Sequence, residues 1–159
     1  IDLGALVTGY AADQMKAYLT EHGVVSGNLN LGGNVLTIGR KPDGSAWRIG
    51  VRMPFDPGNG LADVIEAEDQ TVVSSGIYER CFEKDGVIYH HILDPGNGYP
   101  IRNDIWGVPI VCDSYLRGDA LSTTCLTLGF EKACEFLAAQ EGVKAEFILS
   151  DGNLYRFGV

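Results

Sequence analysis

Apolar residues across 10–22 recur with helical spacing, Ala11, Met15, Tyr18 and Leu19 forming the stripe and Gly23 closing the segment. Across 47–53 the period drops to two. Trp47, Ile49, Val51 and Met53 share one face of a predicted strand, which Pro54 ends before a surface loop over 54–60. A Gly/Asn-rich stretch, 27–34, precedes a further strand at 35–39 and a turn at 42–44, and 62–75 reads as extended. Residues 77–82 and 87–93 form the clearest hairpin signal, joined through Lys84-Asp85-Gly86. A short buried strand is expected at 106–112. A helix at 119–128 should turn Leu121, Thr124, Cys125 and Leu128 inward, and a second at 131–140 stops at Gly142. Strands at 145–149 and 154–157 flank Asp151-Gly152. Strands outnumber helices and follow in hairpin order, which predicts an α+β fold: a mainly antiparallel sheet with helices packed on one face. Neither an internal repeat nor a low-complexity tract interrupts the pattern.

A chain of 159 residues with 45% hydrophobic content is long enough for one domain, 1–159, with its own core. The net charge of −9 argues against a nucleic-acid partner, because phosphate-tracking proteins need a basic face. An anionic ligand would instead need a metal ion or a set of backbone amides. Cys81, Cys112, Cys125 and Cys134 form no C-x-x-C pair and are expected as small core residues. No apolar run reaches membrane-spanning length, and no signal peptide is present. The opening Ile1-Asp2-Leu3 already resembles structured protein, so a processed or truncated product is expected.

Chemistry and backbone specialisation coincide at Tyr89-His90-His91-Ile92-Leu93-Asp94-Pro95-Gly96-Asn97-Gly98-Tyr99-Pro100. Two histidines enter a turn whose Pro and Gly residues force an unusual main-chain path. Each histidine has two open readings, a buried hydrogen-bonded residue or a catalytic one. Adjacent strand residues point to opposite faces, so only one of the two can face a ligand while the strand stays regular. Asp119 and Thr123 stand four apart on one helical face, where their oxygens could share a hard cation such as Mg²⁺; equally, Asp119 could be a simple N-cap. Asn30-Leu31-Gly32-Gly33-Asn34 suits either a ligand approaching bare backbone or an ordinary turn, and Ser74-Ser75-Gly76 is similar.

In order along the chain, the segments 2–11 (Asp-Leu-Gly-Ala then Gly-Tyr-Ala), 30–34 (Asn-Leu-Gly-Gly-Asn), 74–80 (Ser-Ser-Gly-x-Tyr-Glu-Arg), 90–100 (His-His-Ile-Leu-Asp-Pro then Gly-Tyr-Pro) and 119–123 (Asp-Ala-Leu-Ser-Thr) resemble the ApbE family of flavin transferases. The resemblance covers nearly the whole chain. It implies Mg²⁺-dependent cleavage of the FAD pyrophosphate and attachment of FMN, through a phosphoester, to a Thr or Ser of an acceptor flavoprotein, with release of AMP. By the same resemblance Asp119 and Thr123 hold Mg²⁺ with the Ala5 carbonyl, and His91 assists proton transfer. Asn30, Gly32, Gly33, Ser75, Gly76, His91, Asp94 and Pro95 then line the FAD. Two alternatives stay open, an FAD pyrophosphatase and a flavin-binding module without catalysis.

Departures from the family pattern fall at Thr8, where Lys is usual, and at Gly96 and Asn97, where a basic residue and Thr follow Asp-Pro. Family members are also about double this length. The resemblance therefore implies a C-terminal portion, with part of the flavin pocket, an export signal and a lipid anchor in a missing N-terminal half. It also implies a place on the extracytoplasmic side of a bacterial membrane.

Overall fold

The computed structural model describes residues 3–158; the opening Ile1-Asp2 of the expected first loop lies outside the described residues. Thirteen elements follow in the order α1 (Val7–Glu21), β1 (Gly27–Leu31), β2 (Asn34–Ile38), β3 (Trp47–Arg52), β4 (Leu61–Ala67), β5 (Thr71–Gly76), β6 (Cys81–Lys84), β7 (Val87–His90), β8 (Ile105–Cys112), α2 (Tyr115–Leu128), α3 (Phe130–Leu137), β9 (Lys144–Leu149) and β10 (Leu154–Phe157). Six strands make one antiparallel sheet in the order β1-β2-β5-β8-β9-β10, and β3-β4 and β6-β7 form separate ribbons. The architecture is the α+β arrangement expected from the strand-rich pattern.

Strand alternation divides the core between the two faces of this sheet. On one face Val108, Ile110 and Cys112 of β8 and Ala145, Phe147 and Leu149 of β9 meet Leu121, Cys125 and Leu126 of α2 and Ala133 and Leu137 of α3. Beside them Leu36, Ile38 and Val73 meet Ala12 of α1 and Tyr115 of α2. On the other face Val72 and Val111 are covered by Ala67, Ile49 and Ile65 of the β3-β4 ribbon. Burying a Val, Leu, Ile or Phe side chain contributes roughly 1.5–3 kcal/mol each, so both layers are needed to hold β5 between them.

Several local expectations shift. The helix expected at 119–128 begins four residues earlier, because Ser114 accepts the Arg117 amide as N-cap; Asp119 is inside the helix and is not its cap. Thr124 and Leu128 are displaced from its inward face by Ser122 and Leu126. The stretch 62–75 is two strands, broken where Asp69 adopts φ 54°. The stretch 27–34 holds a strand, β1, pairing Leu29 with Leu36. The 77–82/87–93 hairpin is shorter at both ends, since Ile77 donates its amide to Trp106, and Asp85 and Gly86 make the two-residue turn at φ 53° and 72°. Cys81 is exposed, against the expected burial; Cys112 and Cys125 are buried, and all four thiols are free.

Helices α1 and α2 lock together through a carboxylate. Asp13 of α1 accepts the Tyr115 amide at 2.8 Å, the Leu116 amide at 3.1 Å and the Ser114 hydroxyl at 2.7 Å, satisfying donors that a helix N-terminus leaves open. The backbones approach closely at Gly9, where a Cβ would lie 2.5 Å from Leu116 Cα.

Candidate functional site

Strand β2 pairs with β5 only at Val35↔Val72 and Leu36↔Thr71, whereas β5 continues along β8 as far as Gly76↔Gly107. Between the diverging Gly32-Gly33 turn and the free stretch of β5 lies a cleft of about 1080 Å³. The Asn34 side chain enters this gap and accepts the Ser74 amide at 2.8 Å, taking the place of the missing strand partner. One wall is the β3-β4 ribbon, with Ile49, Val51, Arg52 and Leu61. The opposite wall is built by Ala5 and Thr8 at the start of α1 and by Asp119 and Thr123 of α2. Tyr78, Glu79, Arg80 and His91 complete the lining.

Asp119 is a carboxylate whose surroundings do not suit a bare charge. Burial pushes it up to about 6, the Gly9 amide that it accepts works in the opposite direction, and the nearby Asp13 charge raises it further. A cation would relieve both the desolvation and the repulsion. One helical turn on, Ser122 donates to the Asp119 carbonyl at 3.2 Å, Ser75 lies 2.8 Å from Ser122, and Thr123 lies 3.0 Å from Ser75. Because a carbonyl only accepts, these three contacts are all satisfied when protons run from Thr123 to Ser75 to Ser122. Thr123 Oγ1 then keeps lone pairs for the cleft. A carboxylate and a hydroxyl of α2 thus line the cleft together with Ala5, and hard oxygens of this kind could hold a cation such as Mg²⁺ rather than a softer metal. No group of three His, Cys, Asp or Glu residues gathers as a metal cluster among the described residues.

The two histidines part at the end of β7, which closes at His90 and leaves His91 just beyond the strand. His90 turns into the core, where Nε2–H donates to the Ile101 carbonyl at 3.0 Å and Nδ1 accepts the Ile92 amide at 3.3 Å. Burial lowers its affinity for a second proton, so it is a neutral structural residue. His91 lines the cleft. Burial and the adjacent Arg80 charge hold it below the usual 6.5, while its hydrogen bond to the Arg80 carbonyl partly opposes them. A neutral imidazole able to accept a proton at neutral pH is the result.

Of the expected site residues, Ala5, Gly32, Gly33, Ser75, Gly76, His91, Asp119 and Thr123 come together around the cleft. Asn30, Asp94 and Pro95 are not among its lining. Asn30 accepts the Gly33 amide at 2.9 Å and shapes the turn that does line it. Asp94 is occupied by its own turn, accepting the Gly96 amide at 2.8 Å and the Asn97 side chain at 2.9 Å. Sequence reasoning missed as cleft residues Arg52 of β3 and Arg80, which precedes β6; Arg52 pairs with Glu79 at 3.2 Å. Arg52 stood at a polar position of a period-two strand, a signal for exposure but not for where the exposed face would point.

Similarity to known proteins extends over most of the chain. An ApbE family model matches residues 1–147. A relative named FAD:protein FMN transferase in Treponema pallidum is 41% identical over 95% of this chain and 44% of its own length, and one in Klebsiella pneumoniae is 40% identical over 97% and 47%. The ApbE protein of Thermotoga maritima superposes with a TM-score of 0.81 at 34% identity, covering 99% of this chain and 51% of that one. Pseudomonas stutzeri flavinyl transferase ApbE gives 0.80 at 35% identity, over 99% and 48%. This chain therefore spans about half the length of the relatives it matches. With a family model over most of its residues and the matching motifs gathered around one cleft, the chain belongs to the ApbE family.

Proposed function

We propose that this chain is the portion of an FAD:protein FMN transferase that holds the FAD pyrophosphate and transfers FMN to a Thr or Ser hydroxyl of an acceptor flavoprotein. The observation that carries the reading is the meeting of Asp119, Thr123, Ser75 and His91 in one cleft that also receives Arg52 and Arg80. Two guanidinium groups and the bare backbone of Gly32, Gly33 and Gly76 suit a dianionic diphosphate. Asp119 and Thr123, with the carbonyl of Ala5, are the residues that would hold Mg²⁺. The ion would supply charge neutralisation and Lewis-acid polarisation of the phosphoryl oxygens.

In this reading His91 accepts the proton of the acceptor hydroxyl as its oxygen attacks the FMN-side phosphorus. A P–O bond to the acceptor forms, the bridging P–O bond breaks, and AMP leaves with the bridging oxygen. Arg52 and Arg80 hold the leaving phosphate as charge accumulates on it. Among the described residues no helix is long and apolar enough to cross a membrane.

Incubation with FAD, Mg²⁺ and a Thr-containing acceptor, followed by mass spectrometry, tests the proposal. An acceptor adduct of FMN mass with equimolar AMP is expected. Free FMN and AMP without an adduct would replace the reading by a pyrophosphatase, and unchanged FAD would remove both.

A further inference from the structure

The β3-β4 ribbon supplies one wall of the cleft, and unlike contacts attach it to the six-stranded sheet along its length. Toward the Trp47↔Ala67 end the attachment is apolar, with Ile49, Ile65 and Ala67 on Val72 and Val111. At the far tip Phe55 sets its ring edge-on to Trp106, the centroids 5.0 Å apart. Between the two the contact is ionic and comes from outside the cleft. Arg156, on the edge strand β10, donates to Asp63 of β4 through Nε at 3.1 Å and again through Nη2, and its Nε also reaches Glu146 of β9 at 3.3 Å. Glu146 is buried on the sheet face opposite Ala145 and Phe147, with one carboxyl oxygen unpartnered.

The place where this brace grips the ribbon is specific. Asp63 opposes Val51 in the last regular pair; the register then skips, Arg52 opposes Leu61, and Ala62 is left as the extra residue of a bulge. The second Asp63 oxygen, Oδ1, accepts the Val64 amide at 2.7 Å, so both of its oxygens are engaged. Val51, Arg52 and Leu61, on either side of the skip, line the cleft, whereas Asp63, Glu146 and Arg156 do not. Two carboxylates gathered under one guanidinium, one of them buried, are a poor source of net stability, because desolvation offsets the attraction; the best attested use of such a group is to fix register. We infer that Arg156 is a positioning residue: by pinning Asp63 it fixes the bulge and so aims Arg52 into the cleft, where Glu79 meets the guanidinium from its other side at 3.2 Å. Taking Arg52 as a ligand of phosphate rests on the proposed function; the pinning of the bulge does not.

Arg156→Met keeps an apolar stem and removes both contacts, and native-state hydrogen exchange compares it with the parent. Amides of residues 51–53 and 60–64, among them the Met53 amide held by the Gly60 carbonyl at 2.9 Å, should exchange at least about tenfold faster, as in a locally opened segment. Those of residues 47–49 and 65–67, and of β8 and β9, should keep their rates. A uniform rise across ribbon and sheet would make Arg156 a general stabiliser and overturn the inference, and unchanged rates at the bulge would overturn it too. Asp63→Asn cuts the same brace from the ribbon side and should repeat the localised pattern; any other pattern would likewise overturn it. Calorimetry with inorganic pyrophosphate and Mg²⁺ adds a readout that a purely structural role would not move. Arg156→Met should weaken binding several-fold in the parent background and leave it unchanged in an Arg52→Met background, because its effect runs through Arg52; an equal effect in both backgrounds would overturn the inference. Absence of binding by the parent would instead sink the diphosphate reading of the cleft, and the exchange pattern alone would then decide the role of Arg156.

Discussion

Asp13 and Asp119 terminate each other's helices: Asp13 of α1 receives the first amides of α2, and Asp119 of α2 receives the Gly9 amide near the start of α1. Each carboxylate thus helps hold in place the element that carries the other, and both elements supply the cleft wall formed by Ala5, Thr8, Asp119 and Thr123. Separating the two roles gives the first prediction. Asp13→Ala should cost about 1–2 kcal/mol through the lost cap, read as a lower denaturant midpoint. Asp119→Asn should leave stability level or raise it, since burial already disfavours its charge, yet abolish Mg²⁺ binding in calorimetry. A large loss of stability with Mg²⁺ binding intact would make Asp119 merely structural.

Glycine to alanine inside a helix ordinarily stabilises by up to about 1 kcal/mol. At Gly9 the sign should reverse. The added methyl would sit 2.5 Å from Leu116 Cα and 2.7 Å from an Asp119 oxygen, so the helices must separate and the carboxylate must move. Gly9→Ala is expected to lower both the melting temperature and the affinity for Mg²⁺; a rise in the melting temperature would show that the crossing is looser than the structure has it.

His90 and His91 should fail differently. His91→Ala is expected to stop FMN transfer while FAD still binds, and in the unmodified chain transfer should fall on acidification with a midpoint below 6.5, as the neutral base is lost. His90→Ala strands the Ile101 carbonyl in the core and should cost about 1–3 kcal/mol of stability with turnover per folded molecule preserved. Single-turnover kinetics beside thermal melts distinguish the two; equal loss of turnover in both variants would remove His91 from the mechanism.

A second buried carboxyl lies away from the cleft. Glu146 of β9 is pushed up to about 7 from 4.5 by burial and by Asp63 of β4, to which it hydrogen-bonds, and Arg156 of β10 bridges them at 3.1 and 3.3 Å. Its Oε2 has no partner. Between those two pH values the native chain holds a proton that the unfolded chain has released, so this group's contribution to stability falls as pH rises. Glu146→Gln, neutral throughout, should melt with the parent near pH 5 and above it near pH 8. A gap independent of pH would show that Glu146 is ionised in the fold.

Much of this was legible in local pattern. The Asp85-Gly86 turn, the period-two strand β3 and the buried runs of β8 and β9 announced themselves, because each depends on neighbours in sequence. The start of α2 did not: Gly118 and Asp119 read as a helix boundary, but Gly118 is glycine because a Cβ there would lie 2.9 Å from Val73. The orientation of α1 was also hidden, since periodicity finds an apolar stripe without saying which way it faces, and Met15 and Tyr18 are exposed. Site residues that belong to motifs were found together, although Arg80, which ends the 74–80 motif, was not singled out; Arg52 was not found, because only the tertiary placement of the β3-β4 ribbon brings it to the cavity.

The pairing of β5 with β8 also fixes the order in which the molecule can assemble. Thr71 pairs with Cys112, 41 positions later, and everything in between must be looped out before Ser75 can meet Ser122 and Thr123. The β6-β7 and β9-β10 hairpins close over a few residues and carry almost no such entropic cost. Pulsed hydrogen exchange during refolding should therefore protect the two hairpins before the amides of residues 74–76. The cleft is thus expected to take shape after the local hairpins, once the long-range β5-β8 pairing has closed.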